Sequence, residues 1–204
     1  MRDGHYIIGL TGGIASGKTG ASDFLATMGM TIVDADVISR SVTAAGGAAL
    51  TAIREKFGDG VFLPDGTLDR RALGEVVFSS QARKRELEAI IHPMVQRQAL
   101  EEIRNAQTPI VVLSVPLMFE TAMDALCDEV WVMAVERETQ IVRVMARDRL
   151  TRDAAARRVD SQMAPEVREA NADVVIRTDR DIEQTRAQLA SLAHDRLKRC
   201  KELE

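Results

Sequence analysis

The segment Gly12–Thr19, GGIASGKT, follows the apolar run Tyr6–Leu10, YIIGL. Read as Gly12-x-x-x-x-Gly17-Lys18-Thr19, it matches the phosphate-binding-loop pattern. A branched apolar run of this length reads as a buried parallel strand. The helix that follows should start near Gly17 and run towards Met28. Strand, glycine loop and helix in that order leave the chain few folds to adopt. Glycines let the backbone wrap closely, so that successive N–H groups point at phosphate oxygens, and the helix N-terminus adds its positive end. Gly13, Ala15, Ser16, Gly17, Lys18, Thr19 and Gly20 are the candidate phosphate-binding residues. Lys18 reaches the outer phosphates, and the Thr19 hydroxyl suits Mg²⁺.

The rest of the chain repeats the strand–helix alternation. MTIVDAD (Met30–Asp36), PIVVLSVPLMF (Pro109–Phe119, with the strand ending near Val115), EVWVMAV (Glu129–Val135) and ADVVI (Ala172–Ile176) read as further strands. The expected fold class is α/β: a five-stranded parallel sheet flanked by helices. The long interval from Val37 to Thr108 is mostly helical in pattern, as AALTAIREKF, RRALGEVVF and RKRELEAIIHPMVQRQALEEIRNA, with a turn at Pro64–Thr67. It reads as a helical substrate-binding insertion, residues 37–108. Core segments are expected at 1–36, 109–135 and 172–204, with an arginine-rich lid region at 136–171. The closing helix places Ile182, Leu189, Leu192 and Leu197 near helical spacing.

Composition narrows the partners. The 204 residues carry a net charge of −4, which argues against a duplex nucleic-acid binder. Cys127 and Cys200 form no metal-type pair. The N-terminus lacks a secretory pattern, and Pro109–Phe119 is too short to span a bilayer, so a cytoplasmic location with no membrane association is expected. A monomer or weak homo-oligomer is expected.

Several nucleotide machines use such a loop. A guanine-reading Asn-Lys-x-Asp motif is missing, since the asparagines are Asn105 and Asn171. The third strand lacks a magnesium-binding aspartate at its end; the nearest acid is Glu120. Both absences point to a small-molecule kinase. Asp34 and Asp36 close the second strand, where alternation puts both carboxylates on one face of the sheet edge that binds ligands. One suits general-base work on an attacking hydroxyl; the other suits Mg²⁺ or acceptor orientation. Alternatively Asp36 caps the next helix. In RVMARDRLTRDAAARRVDSQM, Arg143 and Arg147 share a helical face. Arginines there can close over a transferring phosphoryl group, or they form ordinary surface pairs such as Asp148–Arg152.

Taken together, IGLTGGIASGKT, VDADVISR, DGTLDRRALGEVVF, IIHPMV, VPLMFE, ARDRLT…R…Q and ADVVI resemble the dephospho-CoA kinase family over nearly the whole chain. The resemblance implies a P-loop kinase fold, ATP as co-substrate with Mg²⁺, and phosphorylation of the ribose 3′-hydroxyl of dephospho-CoA. It implies Asp34 as general base, Lys18 and Thr19 on phosphates and Mg²⁺, and Arg147 as lid arginine. Asp36, Arg40 and His92 fall on the acceptor side. A lone helical histidine such as His92 can equally be structural. Alternatives on the same scaffold are a kinase for another hydroxyl and a nucleotide-sensing regulator. This chain departs from the family pattern at Ala15 and Gly20, and at Arg177–Asp181, where the family commonly carries an asparagine and a glycine beside the adenine. An ordinary φ at Ala15 would leave its amide available to phosphate.

Overall fold

The computed structural model describes residues 4–202. Five strands, β1 (Tyr6–Gly12), β2 (Thr31–Asp34), β3 (Ile110–Ser114), β4 (Glu129–Ala134) and β5 (Val174–Arg177), form one sheet in the order β2-β3-β1-β4-β5. The β1–β3, β1–β4 and β4–β5 pairs run parallel. Every residue of β3 and β4 is buried, as continuous apolar runs in a sheet covered on both faces require. Nine helices lie among the described residues: α1 (Lys18–Thr27), α2 (Ala35–Val42), α3 (Leu50–Phe57), α4 (Arg70–Phe78), α5 (Gln81–Arg104), α6 (Arg137–Asp148), α7 (Arg152–Asp160), α8 (Pro165–Ala170) and α9 (Ile182–Glu202).

The chain divides into two compact units. The larger combines the residues up to Val33 with those from Ile103 onward. Its main core joins Ile8 and Leu10 of β1, Leu25 of α1, Ile110 and Val112 of β3, Trp131 of β4, and Leu189 of α9. Glu129, at the start of β4, is held by a two-bonded Arg196 from α9 (2.7 and 2.8 Å), which fixes that helix on the sheet. Ile182 departs from the expected apolar stripe: as the first residue of α9 it is exposed, and the first buried residue of the helix is Thr185.

The smaller unit, Asp34–Glu102, is helical. Its core holds Ile38, Val42, Ile53, Leu73, Val95 and Ala99. The Asp69 carboxylate accepts from the amides of Arg71 and Ala72, both at 3.0 Å, and so starts α4 at Arg70, as the sequence predicts. The expected turn at Pro64–Thr67 is present, with Asp65 Oδ1 accepting from the Thr67 amide at 2.9 Å. Pro93 lies inside α5, where it removes one helical N–H.

Several strand limits differ from expectation, and β1 runs on to Gly12, two residues past Leu10. β5 runs Val174–Arg177, two residues later at its start. β2 stops at Asp34 and does not reach Asp36. The Asp34 side chain accepts from the amides of Asp36 (2.8 Å) and Val37 (3.2 Å), so it ends the strand by capping α2.

Candidate active site

The loop after β1 sits at the C-terminal edge of the sheet, where open α/β sheets bind ligands. Gly17 takes φ +89° and leads directly into α1 with no side-chain cap. Residue 17 is therefore best served by glycine. The first turn of α1 carries Lys18, Thr19 and Gly20 and no acid. Its amides and its dipole are thus left to an outside anion. Lys18 Nζ donates to Ser114 Oγ at 2.7 Å, which aligns the lysine along the end of β3. Thr19 and Gly20 are exposed, and a Cβ at Gly20 would meet nothing within 4 Å. The buried Oγ of Ser16 has no hydrogen-bond partner among the described residues. These features fit a nucleotide triphosphate, and the exposed Thr19 hydroxyl has the chemistry of a divalent-cation ligand. Among the described residues no group of three His, Cys, Asp or Glu could hold a metal ion unaided.

The condition of an ordinary φ at Ala15 is not met. It lies in the left-handed region at φ +58°, a conformation that costs an alanine about 1–2 kcal/mol. Contacts from the 136–171 segment hold it there. Arg143 Nη1 donates to Ala15 O (3.1 Å), and Arg143 Nη2 donates to Thr178 O (2.7 Å). Thr178 Oγ1 in turn donates to Ser16 O at 2.8 Å. Gln140 Nε2 donates to Ile14 O (2.9 Å), and the Ile14 amide donates to Gln162 Oε1 (2.7 Å). Ile14 and Ala15 also pack on a small core of Ile141, Val144, Ala155 and Val159.

Behind Gly13 lies Arg168, only 4% exposed, whose Nη2 donates to Met163 O at 2.8 Å. Burial pushes its pKa below the usual arginine value, opposed by the charges of Glu120 and Glu169. Sequence reasoning passed over Gln140 and Arg168, met Gln162 only as the last residue of the ARDRLT…R…Q motif, and gave Arg143 no partner of its own among the arginines of the segment. One signal was legible: Gln140, Arg143 and Arg147 recur at i, i+3 and i+7, a polar stripe along α6.

Arg147, one turn beyond Arg143 on the same stripe, has different partners. Its guanidinium is paired with Asp148 (2.8 and 3.1 Å), which raises its pKa, and Asp148 also takes Arg158 (2.5 Å). The expected Asp148–Arg152 pair is not made. Arg152 instead binds both oxygens of Glu138, at 2.6 and 2.7 Å.

In the smaller unit, Asp34 is half-buried and caps α2. Asp36 does not share a strand face with it: it is exposed in the first turn of α2, and the helix sets its direction. Arg40, exposed in the last turn of α2, donates from Nε to Asp36 O at 3.1 Å. His92 is half-buried in α5, directly before Pro93.

A parallel sheet with this loop, lysine and helix start, together with an arginine-bearing segment, defines a P-loop kinase. Among solved structures, a shikimate kinase from Acinetobacter baumannii shares this fold at 16% identity and a TM-score of 0.56, covering 96% of this chain and 94% of its own. The family model for dephospho-CoA kinase matches residues 6–184, and the chain belongs to that family. A dephospho-CoA kinase from Geobacter sulfurreducens is 44% identical over 173 residues, covering 83% of this chain and 88% of its own. One from Aromatoleum aromaticum is 41% identical over 193 residues, 94% of each chain. The structure of a dephospho-CoA kinase from Campylobacter jejuni superposes with a TM-score of 0.70 at 27% identity, covering 93% of this chain and 96% of its own.

Proposed function

We propose that this chain transfers the γ-phosphoryl group of ATP to the ribose 3′-hydroxyl of dephospho-CoA, giving coenzyme A and ADP, the last step of coenzyme A synthesis. The family match across residues 6–184 carries this reading, because it spans both the phosphate loop and Asp34. Gly13, Ala15, Ser16, Gly17 and Gly20 contribute loop backbone, and Lys18 holds the outer phosphates. Mg²⁺, shared between Thr19 and the nucleotide, would neutralise charge developing on the phosphates. Asp34 takes the proton of the 3′-hydroxyl as its oxygen bonds to the γ-phosphorus. The bond from that phosphorus to the bridging oxygen breaks, and ADP leaves. The cap geometry supports the assignment, since two backbone amides fix the orientation of the Asp34 carboxylate.

Asp36, Arg40 and His92 are assigned to the acceptor side, within a helical substrate-binding insertion at 37–108. Residues 136–171 act as a lid, with Arg147 stabilising charge on the transferred group. The enzyme is read as a cytoplasmic monomer or weak homo-oligomer that uses neither nucleic acid nor membrane. No helix among the described residues is long and apolar enough to cross a membrane.

The test is ADP release from ATP and Mg²⁺ with and without dephospho-CoA, beside a panel of other hydroxyl acceptors. Dephospho-CoA should stimulate release most; another acceptor doing so, or none, overturns the reading. Asp34→Asn should keep ATP affinity and lower kcat by about 10²–10⁴, the range of a lost general base.

A further inference from the structure

Both backbone polar groups of Ile14 are taken by side chains from far along the chain. Gln140 Nε2 donates to its carbonyl at 2.9 Å, and its amide donates to Gln162 Oε1 at 2.7 Å. Gln140 is 3% exposed, so its amide group is committed to this contact with little competition from water. The two glutamines come from different places: α6, and the connection between α7 and α8. Arg168 braces that connection through Met163 O.

Gly13 is what lets the arrangement close. A Cβ at residue 13 would collide with Gln140 Nε2, and would lie 3.0 Å from Arg168 Nη1 and 3.5 Å from Gln162 Oε1. Three side chains therefore converge on the bare Cα of the loop. The next residue but one is the strained Ala15. A loop left to itself would relax that strain and would have to be reordered by each arriving nucleotide. Ordering it in advance removes that cost from binding.

We propose that Gln140 and Gln162 are positioning residues for the nucleotide: as a donor–acceptor pair clamping Ile14, they set the phosphate loop in its receiving shape. This rests on reading the loop as a nucleotide site. The two ends of the clamp have opposite polarity, which gives it a signature that general destabilisation lacks. Glutamate at 162 keeps an acceptor for the Ile14 amide, and its charge lies near Arg168. Glutamate at 140 sets an acceptor against the Ile14 carbonyl.

The experiment titrates ADP and ATP directly into the full-length wild type and into Gln140→Ala, Gln162→Ala, Gln140→Glu and Gln162→Glu, with melting curves and with KM for ATP and dephospho-CoA. Each alanine variant should weaken nucleotide binding about tenfold, or about 1.4 kcal/mol. Gln162→Glu should bind within about threefold of wild type, or about 0.7 kcal/mol. Gln140→Glu should bind no better than Gln140→Ala, and KM for dephospho-CoA should stay put in all four. Folded alanine variants that bind nucleotide like wild type overturn the clamp. So does a Gln162→Glu variant as weak as Gln162→Ala. If the alanine variants fail to fold, rescue by glutamate at 162 and not at 140 still decides the matter. A wild type that binds no nucleotide refutes the phosphate-loop reading itself, a different failure from intact binding in every variant.

Discussion

Arg143 and Arg147 stand one turn apart on α6 and face different surroundings. Arg143 is half-buried and donates to neutral backbone oxygens, Ala15 O and Thr178 O, on two separate segments. Arg147 has a side chain 57% exposed and paired with Asp148, a carboxylate it shares with Arg158. An exposed ion pair is weak and exchanges easily. Burial and a fixed bidentate geometry make the first set of contacts harder to leave. The same division runs through the whole 136–171 segment. That segment packs Ile141, Val144, Ala155 and Val159 against Ile14 and Ala15, while its solvent side carries exposed ion pairs. Under the proposed function, a lid built this way would have an anchored root that shapes the phosphate loop and a tip whose arginine could trade Asp148 for a phosphoryl oxygen.

The largest effect should come from the tip. Under the proposed function Arg147→Ala should lower kcat by about 10²–10³, because its interaction is made mainly with charge that develops in the transition state. Direct ATP binding should change by less than about threefold. If ATP affinity falls as far as kcat, the tip and root are not distinct. Arg143→Ala should show the reverse split. Hydrogen bonds from a charged group are worth about 1.5–3 kcal/mol, so the dissociation constant for ATP should rise about tenfold or more. At saturating ATP, kcat should remain within about threefold. Arg143→Lys should rescue little, since a single ammonium cannot reproduce the planar fork that serves Ala15 O and Thr178 O together.

Part of this division was legible in the sequence. The sheet was readable because buried parallel strands are written as unbroken apolar runs, and α4 was readable to the residue, its start explained by the Asp69 cap. DAD misled because two acids at alternate positions look like a strand face. Asp34 is short enough to bond the amides two and three residues on, and that bond turns strand into helix. The arginine pairings were hidden because they follow how α7 lies on α6: Arg152 meets Glu138, 14 positions back, and not the nearby Asp148. Nothing in local sequence announces a glutamine that will hold a backbone group 126 positions away, as Gln140 holds Ile14. Ala15 was hidden for the opposite reason: its residue type predicts a negative φ, and the contacts around it impose a positive one.

Ala15→Gly makes the smallest change and tests the root most closely. Glycine would remove a left-handed strain of about 1–2 kcal/mol. Against that, it adds about 0.5–1 kcal/mol of unfolded-state entropy. It also gives up the part of a methyl group, worth at most about 0.8 kcal/mol, that packs on the Ile141 core. The terms largely offset, leaving about −0.8 to +1.5 kcal/mol, so Tm should move by no more than about 6 °C either way. The informative measurement is the double variant, Ala15→Gly with Arg143→Ala. With Ala15 present, losing Arg143 frees the loop to relax to negative φ, and ATP binding suffers. With glycine at that position the loop's shape carries little strain, so removing Arg143 should weaken ATP binding only about threefold in place of about tenfold. Equal losses in the two backgrounds would mean that Arg143 does not act through Ala15. Its bond to Thr178 O would then be the contact that matters.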